Sequence, residues 1–198
     1  RIVPVFNDKH LAYSWEDAKH MYDTAKKLQM PFLAGSSLPV TWREPTIDLP
    51  MGCEIEEALV SGYGGLEAYG FHSLESLQSV VERRRGGETG VWSVQAVRGD
   101  QIEKAESEGR WSRSLLNAVL RASGKGDLAD AKLKLNDQAA IYLVEYRDGF
   151  RGSVVIAPGV FDQWMVAVKL RGKEKPFVTW MKTENKQPFG HFEFLVKA

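Results

Sequence analysis

Within the first 35 residues an apolar run, a capped amphipathic segment and a second apolar run follow one another, and no other feature constrains the fold as much. Ile2-Val3-Pro4-Val5-Phe6 leads into the polar Asn7-Asp8-Lys9-His10, the pattern of a buried strand entering a loop at its carboxyl end. Ser14 stands three residues before Asp17, as in a capping box, and Ala18, Met21, Tyr22, Ala25 and Leu28 recur at helical spacing until Pro31. Phe32-Leu33-Ala34-Gly35 is short enough to be a strand. Strand, helix and strand within this length make a βαβ crossover, which belongs to a parallel, doubly wound sheet. Ligands of such sheets bind outside the carboxyl ends of the strands, where residues 7–10 and Ser36-Ser37 fall.

Prolines 31, 39, 45 and 50, with no clear period between them, mark 39–53 as an irregular linker between a first region, 1–38, and a second, 54–198. The second region reads as a strand over 55–61, a turn at Gly62-Tyr63-Gly64-Gly65 and a helix over 66–85, with Leu66, Leu74, Leu77, Val80 and Val81 on its buried side. A strand over 89–97 follows. Trp111, Leu115, Ala118, Val119 and Ala122 then mark a second helix, which ends at the Gly124-Lys125-Gly126-Asp127 loop. Segments 140–146 and 150–156 form a hairpin across Arg147-Asp148-Gly149, and 163–170 and 177–182 are two more strands. The architecture expected is α+β: a mixed or antiparallel C-terminal sheet with its helices on one face. Trp164, Val166 and Val168 share one side of a strand while Met165 and Ala167 keep the other apolar. The second face therefore calls for a partner, and a homodimer or larger homo-oligomer through that sheet is expected.

Lys+Arg and Asp+Glu both number 26, so no net field draws the chain to nucleic acid or to an anionic membrane. No segment approaches the ~20 apolar residues that span a bilayer, and a soluble chain is expected. The single cysteine, Cys53, excludes an internal disulfide framework and reads as a small half-buried residue. Histidines 10, 20, 72 and 191 lack metal-ligand spacing, so no metal site is expected. Arg83-Arg84-Arg85 reads as a solvated helix end, and Trp111, Trp164 and Trp180 as core or interface residues.

The strand, loop and capped helix over 3–28 resemble the segment of the glucose-fructose oxidoreductase and inositol dehydrogenase (Gfo/Idh/MocA-like) family that carries its Glu-Lys-Pro motif. That motif would here read Asp8-Lys9-His10. Leu11-Ala12, Ser14, Trp15, Glu16, Ala18, Ala25, Leu28, Pro31 and Leu33-Ala34-Gly35 keep the same register. Residues 64–75 resemble the family's glycine-led helix, whose histidine would here be His72.

The resemblance implies that residues 1–38 are the last βα units of a Rossmann-like domain, followed by a substrate-binding and oligomerisation domain. It places Lys9 between nicotinamide and substrate as a catalytic donor, and makes His72 the proton acceptor, two roles that suit an ammonium and an imidazole. Asp8, Glu67 and Glu75 would face the substrate, and Lys9 and His10 the cofactor. Lys9 and His72 should then converge on one crevice. The chemistry implied is hydride transfer between a sugar-like or cyclitol-like alcohol and NAD or NADP in the intact parent.

Two departures stand out. Ala68 occupies the place, one turn before His72, where the family carries an aspartate. No Gly-x-Gly-x-x-Gly turn occurs, and Gly62-Tyr63-Gly64-Gly65 reads as a turn only, so no dinucleotide is expected on this chain alone. The alternative reading is a non-catalytic binding or assembly module on the same scaffold. Arg1 opens directly into an apolar run, and 191–198 looks like the start of an element. A fragment lacking the dinucleotide-binding half is expected, inactive by itself and cytoplasmic by default.

Overall fold

The computed structural model describes residues 2–47, 49–126 and 138–183. The expected element at 191–198 and Asp127 of the glycine loop lie outside the described residues. The N-terminal strand, helix and strand form as read: β1 (Val5–Asp8) and β2 (Phe32–Gly35) pair in parallel across α1 (Trp15–Lys27). Ser14 Oγ accepts the Asp17 N–H at 3.1 Å, and Glu16 and Asp17 in the first turn and Lys26 and Lys27 in the last complement the helix dipole. The unit buries little of itself. Only Ala25 of α1 is buried, while Val5, Phe6, Leu28 and Leu33 are exposed.

The rest of the chain builds a seven-stranded mixed sheet in the order β3-β9-β8-β4-β7-β6-β5. These strands are β3 (Trp42–Glu44), β4 (Ile55–Gly62), β5 (Val91–Val97), β6 (Ala140–Tyr146), β7 (Arg151–Ile156), β8 (Met165–Leu170) and β9 (Phe177–Lys182). Only β4 and β7 run parallel; the other neighbours are antiparallel. The β6–β7 hairpin turns at Asp148-Gly149 as expected, with Gly149 at φ +81°, a conformation that costs glycine little. Among the described residues no helix is long and apolar enough to cross a membrane.

The helices do not share one face, and this corrects the expected arrangement. α2 (Leu66–Val81) packs Leu77, Val80 and Val81 on Ala58, Val60, Val154, Ile156, Val166 and Val168. α3 (Asp100–Ser107) and α4 (Arg113–Ala122) lie on the opposite face. There Ile102, Leu115, Leu116 and Leu120 meet Leu59, Ile141, Val155 and Ala167. Alternate residues of each central strand thus enter two separate cores, the pattern of a sheet covered on both sides. The open face from which self-association was inferred is occupied by α4. Exposed apolar strand residues of this sheet include Val91, Trp92 and Val94 on the edge strand β5, Trp42 on β3 and Phe177 on β9.

The stretch read as irregular is partly ordered. A 3₁₀ turn at Leu38–Val40 carries Leu38 into the α2-side core, and β3 pairs with β9 at the sheet edge. Pro45, just past β3, takes no ladder bond as a donor, and its carbonyl accepts from Thr179 Oγ1 at 2.7 Å.

The arginine run is not a solvated helix end either. α2 stops at Val81, and Arg84 turns inward to 4% exposure. Its guanidinium lies over Tyr146 and Phe150, 4.6 and 4.9 Å from the ring centres, and donates to Asp148 from Nε at 3.0 Å and Nη2 at 2.8 Å. Partial desolvation opposes ionisation of Asp148, but the Phe150 N–H and the Arg84 guanidinium outweigh it and hold the carboxyl below its usual range. Arg85 stays exposed and pairs with Glu54 at 2.7 Å. Cys53 is half-buried, as expected, and burial pushes its thiol pKa up.

Arg84→Ala removes a buried guanidinium with its ring contacts to Tyr146 and Phe150 and its bonds to Asp148, Thr89 and the Val81 carbonyl, and is expected to lower the unfolding free energy by ~2–4 kcal/mol. Arg85→Ala, which breaks an exposed pair, should cost ~1 kcal/mol or less. Urea titrations of the two variants check this difference.

Candidate functional site

The carboxyl ends of β1 and β2 face α2 across a cavity of about 340 Å³ lined by Asp8, Lys9, Ser37, Leu38, Tyr63, Tyr69, His72, Trp164 and Thr183. Lys9 follows β1 directly. Its backbone sits at φ +79°, a left-handed conformation rare for a residue with a side chain and found where function demands it. Three contacts hold that conformation: Lys9 N–H donates to Gly35 O at 3.0 Å, and the Asn7 amide donates to the carbonyls of Lys9 and His10 at 3.4 and 3.3 Å. The ammonium pairs with Asp8 at 2.6 Å, both side chains remaining partly exposed.

His72 comes from the middle of α2. Ser73 and Ser76 beside it are fully buried, and their hydroxyls donate back to the Tyr69 and His72 carbonyls at 3.1 and 2.8 Å, so neither is left unpaired. The Trp164 indole N–H donates to Ser73 Oγ at 3.1 Å, which fixes that ring on the cavity wall. Tyr63 and Tyr69 complete an aromatic wall, with ring centres 4.5 Å (Tyr63 to Trp164), 5.1 Å (Tyr63 to Tyr69) and 5.5 Å (Tyr69 to Trp164) apart. Gly64, at φ +75°, is required here. A Cβ at that position would come within 2.4 Å of the Tyr69 ring.

Two bonds from one serine join the halves of the site. Ser36 N–H donates to Glu75 Oε2 at 3.2 Å, and Ser36 Oγ lies 2.7 Å from His72 Nδ1. Gly35 makes the approach possible, because a Cβ there would stand 2.6 Å from Glu75 Oε2. Burial raises the Glu75 pKa, and the Ser36 N–H offsets part of that rise.

Of the residues singled out in the sequence, Asp8, Lys9 and His72 line the cavity together. Glu75 does not line it and instead anchors Ser36. Glu67 is exposed in the first turn of α2, and His10 stacks edge-on against Tyr13 and Phe71 with ring centres 6.0 and 5.8 Å away, both outside the lining. Ala68 is exposed and offers no carboxylate. Sequence reasoning placed Ser36 and Ser37 near the crevice without giving them a role, and it read Trp164 as a core or interface residue, which its 6% exposure bears out, without placing it at the cavity. The aromatic wall had no local signal, since it joins a turn, a helix and the start of β8.

No known family profile matches the sequence. No curated protein matches it significantly. Among solved structures it is similar to UDP-N-acetylglucosamine 3-dehydrogenase GnnA from Acidithiobacillus ferrooxidans in two crystal forms. One aligns at TM-score 0.48 and 8% identity over 93% of this chain and 58% of that one, the other at 0.43 and 7% over 83% and 46%. An NAD-binding protein from Listeria innocua aligns at TM-score 0.39 and 12% identity over 98% of this chain and 61% of that one. The chain therefore spans between about half and three fifths of each of these structures. The reading of the site rests on the residues themselves.

Since burial raises the folded-state pKa of Glu75, the protonated carboxyl is favoured in the folded chain, and stability falls as pH rises from the ordinary glutamate value, about 4.3, through the raised one. Glu75→Gln keeps an acceptor for Ser36 N–H but cannot ionise. It is expected to be more stable than the parent at pH 7 and equal to it at pH 4, as thermal melts at the two pH values will show.

Proposed function

We propose that this cavity is the ligand site of an NAD(P)-dependent oxidoreductase acting on a sugar-like or cyclitol-like alcohol, and that the chain carries its substrate-facing part. The observation that carries the reading is that Lys9, on a strained turn after a parallel strand, and His72, on a helix of the other unit, line one cavity with an aromatic wall. Tyr63, Tyr69 and Trp164 offer flat apolar surface to the C–H face of a ring, while Lys9, His72 and Asp8 offer polar groups to its hydroxyls. That combination of apolar lining and few placed polar groups is typical of small-molecule sites.

The described residues do not fit the dinucleotide itself. Pyrophosphate needs backbone N–H groups at a glycine-rich helix entrance, whereas α1 is entered through Ser14 and carries Glu16 and Asp17 in its first turn. Those carboxylates would repel a phosphate. The proposal therefore assigns the cofactor to further strands of a Rossmann-like domain packed on the exposed apolar residues of β1 and β2, such as Val5, Phe6 and Leu33. The second reading, a binding or assembly module without catalysis, is favoured by Ala68, which puts no carboxylate at the position one turn before His72.

Calorimetric titration with myo-inositol and glucose tests the site on the chain as it stands. Saturable binding is expected, weakened ~10-fold or more by Lys9→Ala, since a hydrogen bond to a charged group contributes ~1.5–3 kcal/mol. NAD(H) and NADP(H) should give no micromolar binding in the same experiment. Absence of polyol binding, or binding indifferent to Lys9→Ala, would sink the proposal.

A further inference from the structure

The two edges of the seven-stranded sheet are unlike. β3 is three residues long and runs into Pro45, and shortness and proline both blunt an edge. β5 spans seven residues, Val91-Trp92-Ser93-Val94-Gln95-Ala96-Val97, with no proline and no charged side chain, and only Val97 is buried. A long, uncharged, apolar edge is a template for pairing with another strand. Its free backbone groups can be followed from β6. Tyr146 N–H donates to Phe150 O on the β7 side, and Arg147 N–H donates to Gly90 O on the β5 side. Backbone groups alternate along a strand, so those of Val144 and Tyr142 also point to β7. Val94 and Ala96 stand opposite Val144 and Tyr142, and their N–H and C=O groups therefore point away from β6, out of the sheet edge. Beside them Trp92 is 67% and Val94 53% exposed.

We propose that β5 pairs antiparallel with β5 of a second copy of this chain, about a two-fold axis at Ser93, joining two seven-stranded sheets edge to edge. Charge selects this partner and this direction. Glu88 stands three residues before β5 and Arg98 directly after it, both exposed. Two such strands laid parallel would bring Glu88 to Glu88 and Arg98 to Arg98. Laid antiparallel, each copy sets its Glu88 end against the Arg98 end of the other, and the contact closes on itself at two copies. The register follows from the same charges. With Ser93 on the axis, Glu88 comes level with Arg98, and Trp92 stands opposite Val94, an aromatic and β-branched pair of the kind that stabilises sheets. With Val94 on the axis, Glu88 would instead come level with Asp100. Strands β4, β7 and β6 separate β5 from β8, whose start adjoins Trp164, so the pairing leaves the cavity of each copy open and stands independently of its chemistry.

Sedimentation velocity at micromolar concentration tests this, with twice the 22.2 kDa chain mass as the expected result. Trp92→Lys and Val94→Lys each place a charge on the edge at an exposed position, and both should give monomers with the far-UV circular dichroism of the parent. Arg98→Glu should weaken the dimer, and adding Glu88→Lys should recover it. Hydrogen exchange supplies a second measurement. The Val94 and Ala96 amides should be protected in the dimer and lose protection on dilution, while the Gln95 amide, turned to β6, stays protected at every concentration.

A monodisperse monomer in the unmutated chain overturns the proposal. So does a dimer that survives Val94→Lys, which would be held by another surface such as the exposed residues of β1 and β2. Failure of Glu88→Lys to recover the Arg98→Glu dimer overturns the antiparallel arrangement.

Discussion

The site depends on how one serine is gripped by one helix. Ser36 N–H bonds the Glu75 carboxylate and Ser36 Oγ meets His72, positions one turn apart on α2. Immediately upstream, Gly35 accepts the Lys9 N–H and thereby holds the Lys9 turn. Lys9, Gly35, Ser36, His72 and Glu75 therefore form one chain of contacts, and Leu38, buried beside α2, is its apolar anchor. Polar contacts carry unusual weight because the βαβ unit supplies little apolar burial of its own. A backbone N–H bonded to a half-buried carboxylate contributes ~1.5–3 kcal/mol, comparable to burying one large aliphatic side chain. Loss of either bond would let the unit move away from α2 and take Lys9 with it.

The platform beneath is rigid for the opposite reason. Its central strands put alternate side chains into two cores, with α2 on one and α3 and α4 on the other, so α2 is held by a sheet that is itself clamped from behind. Past the end of α2, Arg84 ties the chain to the β6–β7 turn through Asp148. The result is a fixed wall presenting His72, Tyr69 and Trp164, against which a lightly held unit presents Lys9. Ligand-binding segments are commonly drawn from such low-stability parts of a fold.

Much of this was legible in sequence where the signal is local. The Ser14-to-Asp17 cap, the Asp148-Gly149 turn and the apolar periods of β1, α2, β6, β7 and β8 read directly. Even the two-sided character of β8 was visible in Met165 and Ala167, but it was assigned to a missing partner. The helix that covers that face was placed, and α3 was not seen, because its only buried residues are Ile102 and Ala105 among charged neighbours. Trp111 was read into α4, although it precedes the Ser112 cap and donates its indole N–H to Ile102 O at 2.9 Å. Arg84 and β3 were misread because their partners, Asp148 and β9, are remote in sequence. At the site, Lys9 and His72 could be named from a motif, whereas Ser36 gained its role only from a contact that no local pattern encodes.

The central claim is that the βαβ unit is docked on α2 through Ser36, so that Lys9 and His72 share a cavity. Native-state hydrogen exchange at the Ser36 amide tests it most directly. The account expects protection of that amide in the unmutated chain, and a drop of ~10-fold or more on Glu75→Ala, the loss of one charge-assisted bond, with the β7 amides unchanged. A Ser36 amide that exchanges at the rate of an unstructured peptide would contradict the account, because the unit would then not be held against α2.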